Sequence, residues 1–199
     1  MYLSVISMDR TCLQVRRALS DRNALHRDLM RALPDDIGAS PRAKSALLYQ
    51  LCQTDGKPRL YVLCQVLPEW VRLAPMGYRT EGVKDVSALQ ETLTTGRRLA
   101  FDLLCTPTKK VVGDGKNSRR VFLRTTEERT AWLCRQGEKY GFSILAQEER
   151  NEESIYGRKN QNVIQYTAVH FRGLLKIDDA EKFWVCFCQG IGSGKAYGL

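Results

Sequence analysis

The sequence predicts an α+β protein made of two successive modules, each with an antiparallel sheet. The segments of the first half run strand, helix, strand, strand, and the second half repeats that run with different spacing. The 199 residues with 43% hydrophobic content also suffice for two cores in modules of about 95 and 105 residues. The boundary falls between residues 93 and 94, giving modules 1–93 and 94–199.

Taken in order, Met1 to Met8 alternates loosely and is rich in strand formers. From Thr11 to Leu33, Val15, Leu19, Leu25, Leu29 and Leu33 repeat at helical spacing, with a break near Ser20-Asp21 where either residue can cap, and Pro34 closes the segment. Ala46 to Gln53 and Leu60 to Leu67 read as strands, joined by the hairpin turn Thr54-Asp-Gly-Lys-Pro58. The irregular stretch Pro68 to Gly96 reads as a loop with a short helix, acting as a junction. Arg98 to Cys105 is the next strand, and Arg119 to Leu123 another, after Gly113-Asp-Gly115. Thr126 to Tyr140 is helical, Phe142 to Gln147 and Val163 to Ile177 are strands, and Asp178 to Gln189 is a helix with an acidic first turn. This order is that of tandem ferredoxin-like, RRM-like domains. The aromatic signature of an RRM is absent.

The 31 Lys and Arg against 22 Asp and Glu give a net charge of +9, which points to a polyanionic partner. No run approaches 18 apolar residues and the apolar start is too short for a signal sequence, so neither a membrane span nor export is expected, and the cytoplasm is. Seven cysteines without a C-x-x-C pattern read as buried thiols in a reducing compartment. With two histidines and no Cys/His pairs at ligand spacing, no metal site and no cofactor are implied. Asp35-Asp36, Asp178-Asp179 and the Glu148-Glu149 to Glu152-Glu153 cluster read as loop, helix-start and solvated charges, not as a two-metal nuclease centre.

The last ten residues, Gly190-Ile-Gly-Ser-Gly-Lys-Ala-Tyr-Gly-Leu199, gather glycines around Lys195 after a helix. A Walker loop would need glycine and Ser or Thr where Gln189 and Ala196 stand, and a dinucleotide fingerprint would need glycine where Lys195 or Tyr197 stands. Two readings stay open. One is a helix cap followed by a turn; the other is a backbone that approaches a phosphate chain closely at Gly192 and Gly194, with Lys195 supplying charge.

His26 lies on the second helical stretch with Arg22, Asn23 and Met30 one turn away, at the edge of the Leu25, Leu29, Leu33 stripe, and Arg27 and Arg31 flank it. It reads either as a boundary histidine satisfied by water or as a proton-transfer group in a field that attracts a phosphodiester. His170, in a strand, reads as structural. Lys109, Lys110, Lys116, Arg119 and Arg120 surround one turn, and Arg158-Lys159 tops a second. Two basic hairpin tips and a basic helix could line a groove for an A-form RNA stem.

Met-Tyr-Leu-Ser at the start, Ala24-Leu25-His26-Arg27-Asp28-Leu29, Leu103 to Lys109, Glu128 to Leu133, Val169 to Leu175 and Gln189 to Leu199 together resemble the CasE family over nearly the whole chain. CasE proteins are the CRISPR RNA-processing endoribonucleases of subtype I-E Cascade. The resemblance implies a metal-independent cut at the base of each repeat hairpin of the precursor CRISPR RNA. In that reaction the 2′-hydroxyl attacks the adjacent phosphate to give a 2′,3′-cyclic phosphate. The enzyme then stays on the crRNA hairpin, one copy per complex, against Cascade backbone subunits and, through them, target DNA. By the same resemblance His26 is the general acid or base. Arg31 and Arg158 steady the phosphorane charge, and Lys195 with the amides of Gly192 and Gly194 contacts the RNA backbone; Arg22, Arg27, Lys109, Lys110, Lys116, Arg119, Arg120 and Lys159 are the further RNA contacts expected from their charge.

Two positions depart from the family pattern. Asn23 stands where a tyrosine is common and cannot supply a phenolic proton. The chain ends at Leu199, where relatives continue into a short strand. The first departure sets the rival expectation, a non-catalytic subunit that only binds the crRNA hairpin.

Overall fold

The computed structural model describes residues 1–37, 44–112, 118–159 and 162–199. The chain divides into two compact units, one of Met1–Leu89, Ile155–Gln165 and Lys195–Gly198, the other of Gln90–Ser154, Tyr166–Gly194 and Leu199.

The first unit contains β1 (Tyr2–Met8), α1 (Leu13–Ser20), α2 (Arg22–Arg31), β2 (Leu48–Thr54), β3 (Lys57–Cys64), a 3₁₀ helix (Trp70–Met76) and β4 (Tyr78–Asp85). Its sheet has the order β2-β3-β1-β4 with antiparallel neighbours, the ferredoxin-like arrangement, and the 3₁₀ helix stands in place of a second long helix. One sheet face is apolar because strand side chains alternate: Ile6 pairs with Leu60 and Ser4 with Val62. Against it pack Val15 and Ala18 of α1 and Leu25 and Leu29 of α2, all fully buried. Each leucine contributes about 1.5–3 kcal/mol by leaving water. Buried Ser4 is satisfied by the Trp70 indole, 2.9 Å away.

The expected break in the long helical stretch is made by one residue. Asp21 is extended (φ −137°, ψ 101°), ends α1, and caps α2 by accepting from the Asn23 N–H. The junction reading of Pro68 to Gly96 needs correction, since β4 lies in it. Every β4 residue after Tyr78 is exposed, as befits a polar edge strand, so no alternation marked it.

A short α3 (Leu89–Thr92) leads on in sequence. The second unit takes in β5 (Arg98–Cys105), the hairpin of β6 (Thr108–Val112) and β7 (Ser118–Phe122), α4 (Thr126–Tyr140), α5 (Ala180–Gln189) and most of β8 (Phe142–Lys159) and β9 (Asn162–Ile177), whose ends within Ile155–Gln165 belong to the first unit. Its sheet runs β5-β9-β8, with β6 and β7 paired separately. Trp132, Leu133, Phe142, Phe171, Ile177 and Phe183 form the core. After α5, strand pairing among the described residues is a single antiparallel bridge, Thr106 to Ser193.

β8 is 18 residues long and continues well past the expected end at Gln147. The acidic cluster within it is not simply solvated. Arg129 of α4 is only 5% exposed, donates to both Glu149 oxygens and to Glu152 (2.7 Å), and so ties α4 to β8. No disulfide links the seven cysteines; Cys64, Cys105, Cys186 and Cys188 are buried, whereas Cys134 is exposed, against expectation. No helix among the described residues is long and apolar enough to cross a membrane.

Candidate nucleic-acid interface

In the first unit the start of α2 is a convergence point. Asp21, buried, accepts from two backbone N–H groups at 2.9 Å, those of Asn23 and Arg158. The Asn23 amide donates to the Arg158 carbonyl at 2.6 Å. Both backbone groups of Arg158 are thus held by the first turn of α2, and its side chain is left exposed. Gly157 makes this approach possible, because a Cβ there would sit 2.6 Å from the Tyr197 ring and 3.5 Å from the Asn23 nitrogen. The 3₁₀ turn Lys195–Tyr197 packs on α2 and is fastened from β2 by the Tyr49 hydroxyl, which donates to the Ala196 carbonyl at 3.1 Å.

His26 follows Asn23 by three residues and Arg22 by four, so all three share one face of α2. His26, Arg22 and Asn23 are half-buried and Arg27 is exposed. The structure therefore gathers His26, Arg22, Arg158 and Lys195 in one unit around the α2 start. Arg31 is engaged elsewhere. Its guanidinium lies 3.5 Å from Asp28 and 3.4 Å from the Met76 sulfur.

Asp28 is 2% exposed, and no expectation marked it. It accepts from Gln14 of α1 at 2.9 and 3.0 Å and from the Tyr78 hydroxyl of β4 at 2.9 Å. Burial, and then the Asp28 charge beside it, pushes the Tyr78 phenol well above its ordinary value. Asp28 thus fixes α2 to both neighbours from the side opposite to water.

In the second unit Lys109, Arg120 and Gly192 line one cleft of about 320 Å3. The cleft also contains Arg135 and Lys139 of α4, which sequence reasoning passed over although their i, i+4 spacing was visible. Gly192, at φ +75°, lies against the buried Trp132, where a Cβ would come within 3.1 Å of the indole. Gly190 caps α5, its N–H donating to the Cys186 carbonyl at 2.7 Å, and Gly194 rests on Leu199. Lys110 and Arg119 are exposed on the hairpin. Lys116 lies outside the described residues, and Lys159 ends β8. His170 pairs with Asp102, which also accepts from Arg172 at 2.6 Å. Burial raises the Asp102 carboxyl, but its bonds to His170 and Arg172 outweigh that and hold it below the usual range.

Two ferredoxin-like units, with a histidine on a cationic helix in one and a cationic hairpin and cleft in the other, define the tandem ferredoxin-like class with cationic surfaces. Within that class the chain belongs to the family described as CRISPR associated protein, whose model matches residues 1–199. It is 30% identical over 216 aligned residues to the CRISPR-associated endoribonuclease Cse3 of Thermus thermophilus, covering 100% of this chain and 97% of the relative. Its fold matches CRISPR endoribonuclease Cse3 bound to a 19 nt RNA (TM-score 0.85, 28% identity, 100% and 97% covered). It also matches Thermus thermophilus Cse3 bound to an RNA representing a pre-cleavage complex (TM-score 0.84, 27% identity, 100% and 95% covered).

Proposed function

We propose that this chain is an endoribonuclease that cuts the repeat hairpins of precursor CRISPR RNA and stays on the product hairpin as a subunit of the Cascade surveillance complex. The observation that carries it is the joining of the α2 start to Arg158, through Asp21 and Asn23, one turn from His26. That arrangement supports pairing His26 as a proton-transfer group with Arg158, whose backbone is held and whose side chain is exposed, for the cleavage of a phosphodiester. Membership of the family and the endoribonuclease relatives support the same reading.

In the reaction the substrate's 2′-hydroxyl oxygen bonds to phosphorus and the phosphorus–O5′ bond breaks. The 2′-hydroxyl proton leaves to a base, and the departing O5′ gains one from an acid. His26 supplies one of these two transfers. Arg158 stabilises the charge on the phosphorane, while Arg31 shares its charge with Asp28 and contributes less. The nucleophile belongs to the substrate, so the scheme assigns no metal a role. Arg22, Arg27, Lys195, Lys109, Lys110, Lys116, Arg119, Arg120, Lys159, Gly192 and Gly194 contact the RNA. One copy per Cascade complex, in the cytoplasm, with access to target DNA through the other subunits, completes the proposal.

Asn23 favours a second reading, a non-catalytic hairpin-binding subunit, because its amide transfers no proton and is committed to the Arg158 carbonyl. Incubation with repeat RNA in EDTA separates the two. A cut that falls by at least about 100-fold in His26→Ala establishes the enzyme. Tight binding without product by the unaltered protein establishes the second reading.

A further inference from the structure

Four cations, Lys109, Arg120, Arg135 and Lys139, line the cleft formed by the β6–β7 hairpin, α4 and Gly192, and no carboxylate is among its lining residues. Lys109 is already occupied, its ammonium 2.8 Å from Glu128. Arg135 and Lys139 are exposed and, among the described residues, in no ion pair; the Lys139 ammonium lies over the Tyr140 ring, 4.7 Å from its centre. They stand one turn apart, a rise of about 6 Å along α4. Across the hairpin, Lys110 sits directly opposite Arg120. Like charges in that relation destabilise a strand pair unless an anion lies with them. A cleft with uncompensated cations on both walls, floored by a glycine backbone pressed onto Trp132, is shaped for a chain of phosphates.

We propose that this cleft is a phosphate channel in which Arg135 and Lys139 of α4, with Arg120 of the hairpin, grip the backbone of the bound RNA. The proposal rests on the RNA-processing reading above and adds two residues and a binding subsite to it. The ligand is an RNA phosphodiester chain, from either the hairpin stem or the single strand that flanks it.

The test measures fluorescence anisotropy of two labelled RNAs, a repeat hairpin alone and the same hairpin with its flanks, at several salt concentrations. Arg135→Gln/Lys139→Gln is expected to bind about 10- to 100-fold more weakly, with a log–log salt slope shallower by roughly 0.7–0.9 for each phosphate that is no longer neutralised. Weaker binding of both RNAs places the stem in the channel; weaker binding of the flanked RNA alone places the flank there. The charge-matched control Lys176→Gln/Lys182→Gln removes ammonium groups that Asp178 and Asp179 already neutralise at 3.0 Å, and should bind as the unaltered protein does. The charge-keeping pair Arg135→Lys/Lys139→Arg should bind within a fewfold of it, which separates removal of charge from disruption of the fold. The proposal is overturned if the glutamine pair keeps full affinity and slope, if the control is weakened as much, or if the charge-keeping pair binds as poorly. Cleavage by the unaltered protein reads the proposed function independently. Failure there is seen without any α4 variant, whereas failure of the channel is seen with cleavage intact.

Discussion

Asn23 is the residue on which the functional argument turns. Its amide donates to the Arg158 carbonyl while its own backbone N–H is taken by Asp21, so it holds the Arg158 backbone and, as an amide, transfers no proton. Asn23→Asp keeps the shape but sets two acceptors against each other at 2.6 Å and adds negative charge beside Arg158. Asn23→Ala removes only the bond. Single-turnover cleavage should therefore fall in the order unaltered, Ala, Asp, with the Asp variant slower by about 100-fold, the scale of losing one positioned electrostatic group. Equal rates for all three proteins would show that cleavage does not depend on this hold on Arg158.

At the scale of elements, α2 is held where it is by a buried polar anchor as well as by its leucines. The Asp28 carboxylate takes bonds from α1 and β4, and Tyr78 at 3% exposure gives one of them. The Tyr78 phenol has a folded pKa raised above its unfolded value, so the stability it adds is fully present below about pH 10 and is lost as pH rises past that point. Tyr78→Phe should cost about 1–3 kcal/mol at pH 7, since a buried charged acceptor loses a donor. It should also flatten the decline in stability between pH 9.5 and about 11. Urea melts of both proteins at pH 7 and 10.5 measure this, and an unchanged alkaline decline in the variant would assign it to other groups. The elements themselves were legible wherever burial imposed a period. Val15, Leu25 and Leu29 announced two helices, and the Ser20-Asp21 break announced their junction, because Asp21 is a cap in sequence and in space. β4 and the far half of β8 were not legible, since their side chains mostly face water, and in β8 alternation returns only at Ile155 to Arg158. His26 could be picked out as one of two histidines, but its setting depends on Arg158 and Tyr197, more than 130 residues away in sequence. Only folding joins them.

For the whole molecule, the +9 charge gains meaning from its distribution. Arg22, Arg27, Arg158 and Lys195 belong to the first unit, and Lys110, Arg119, Arg120, Arg135 and Lys139 to the second, so the cations are divided between both units. If each meets one phosphate of a duplex, log affinity for a repeat hairpin should fall against log salt with a slope of about −8; a slope near −2 would show that most of them meet none. This term is blind to sequence and fades with salt, whereas contacts to the shape and exposed bases of the hairpin do not. An unrelated hairpin of equal length should therefore bind within about tenfold of the repeat hairpin at roughly 50 mM salt and fall well behind it at roughly 400 mM. Competition titrations at the two concentrations measure the gap. If it fails to widen, recognition of the repeat rests on charge alone, and selection of the correct RNA has to come from the cleavage step.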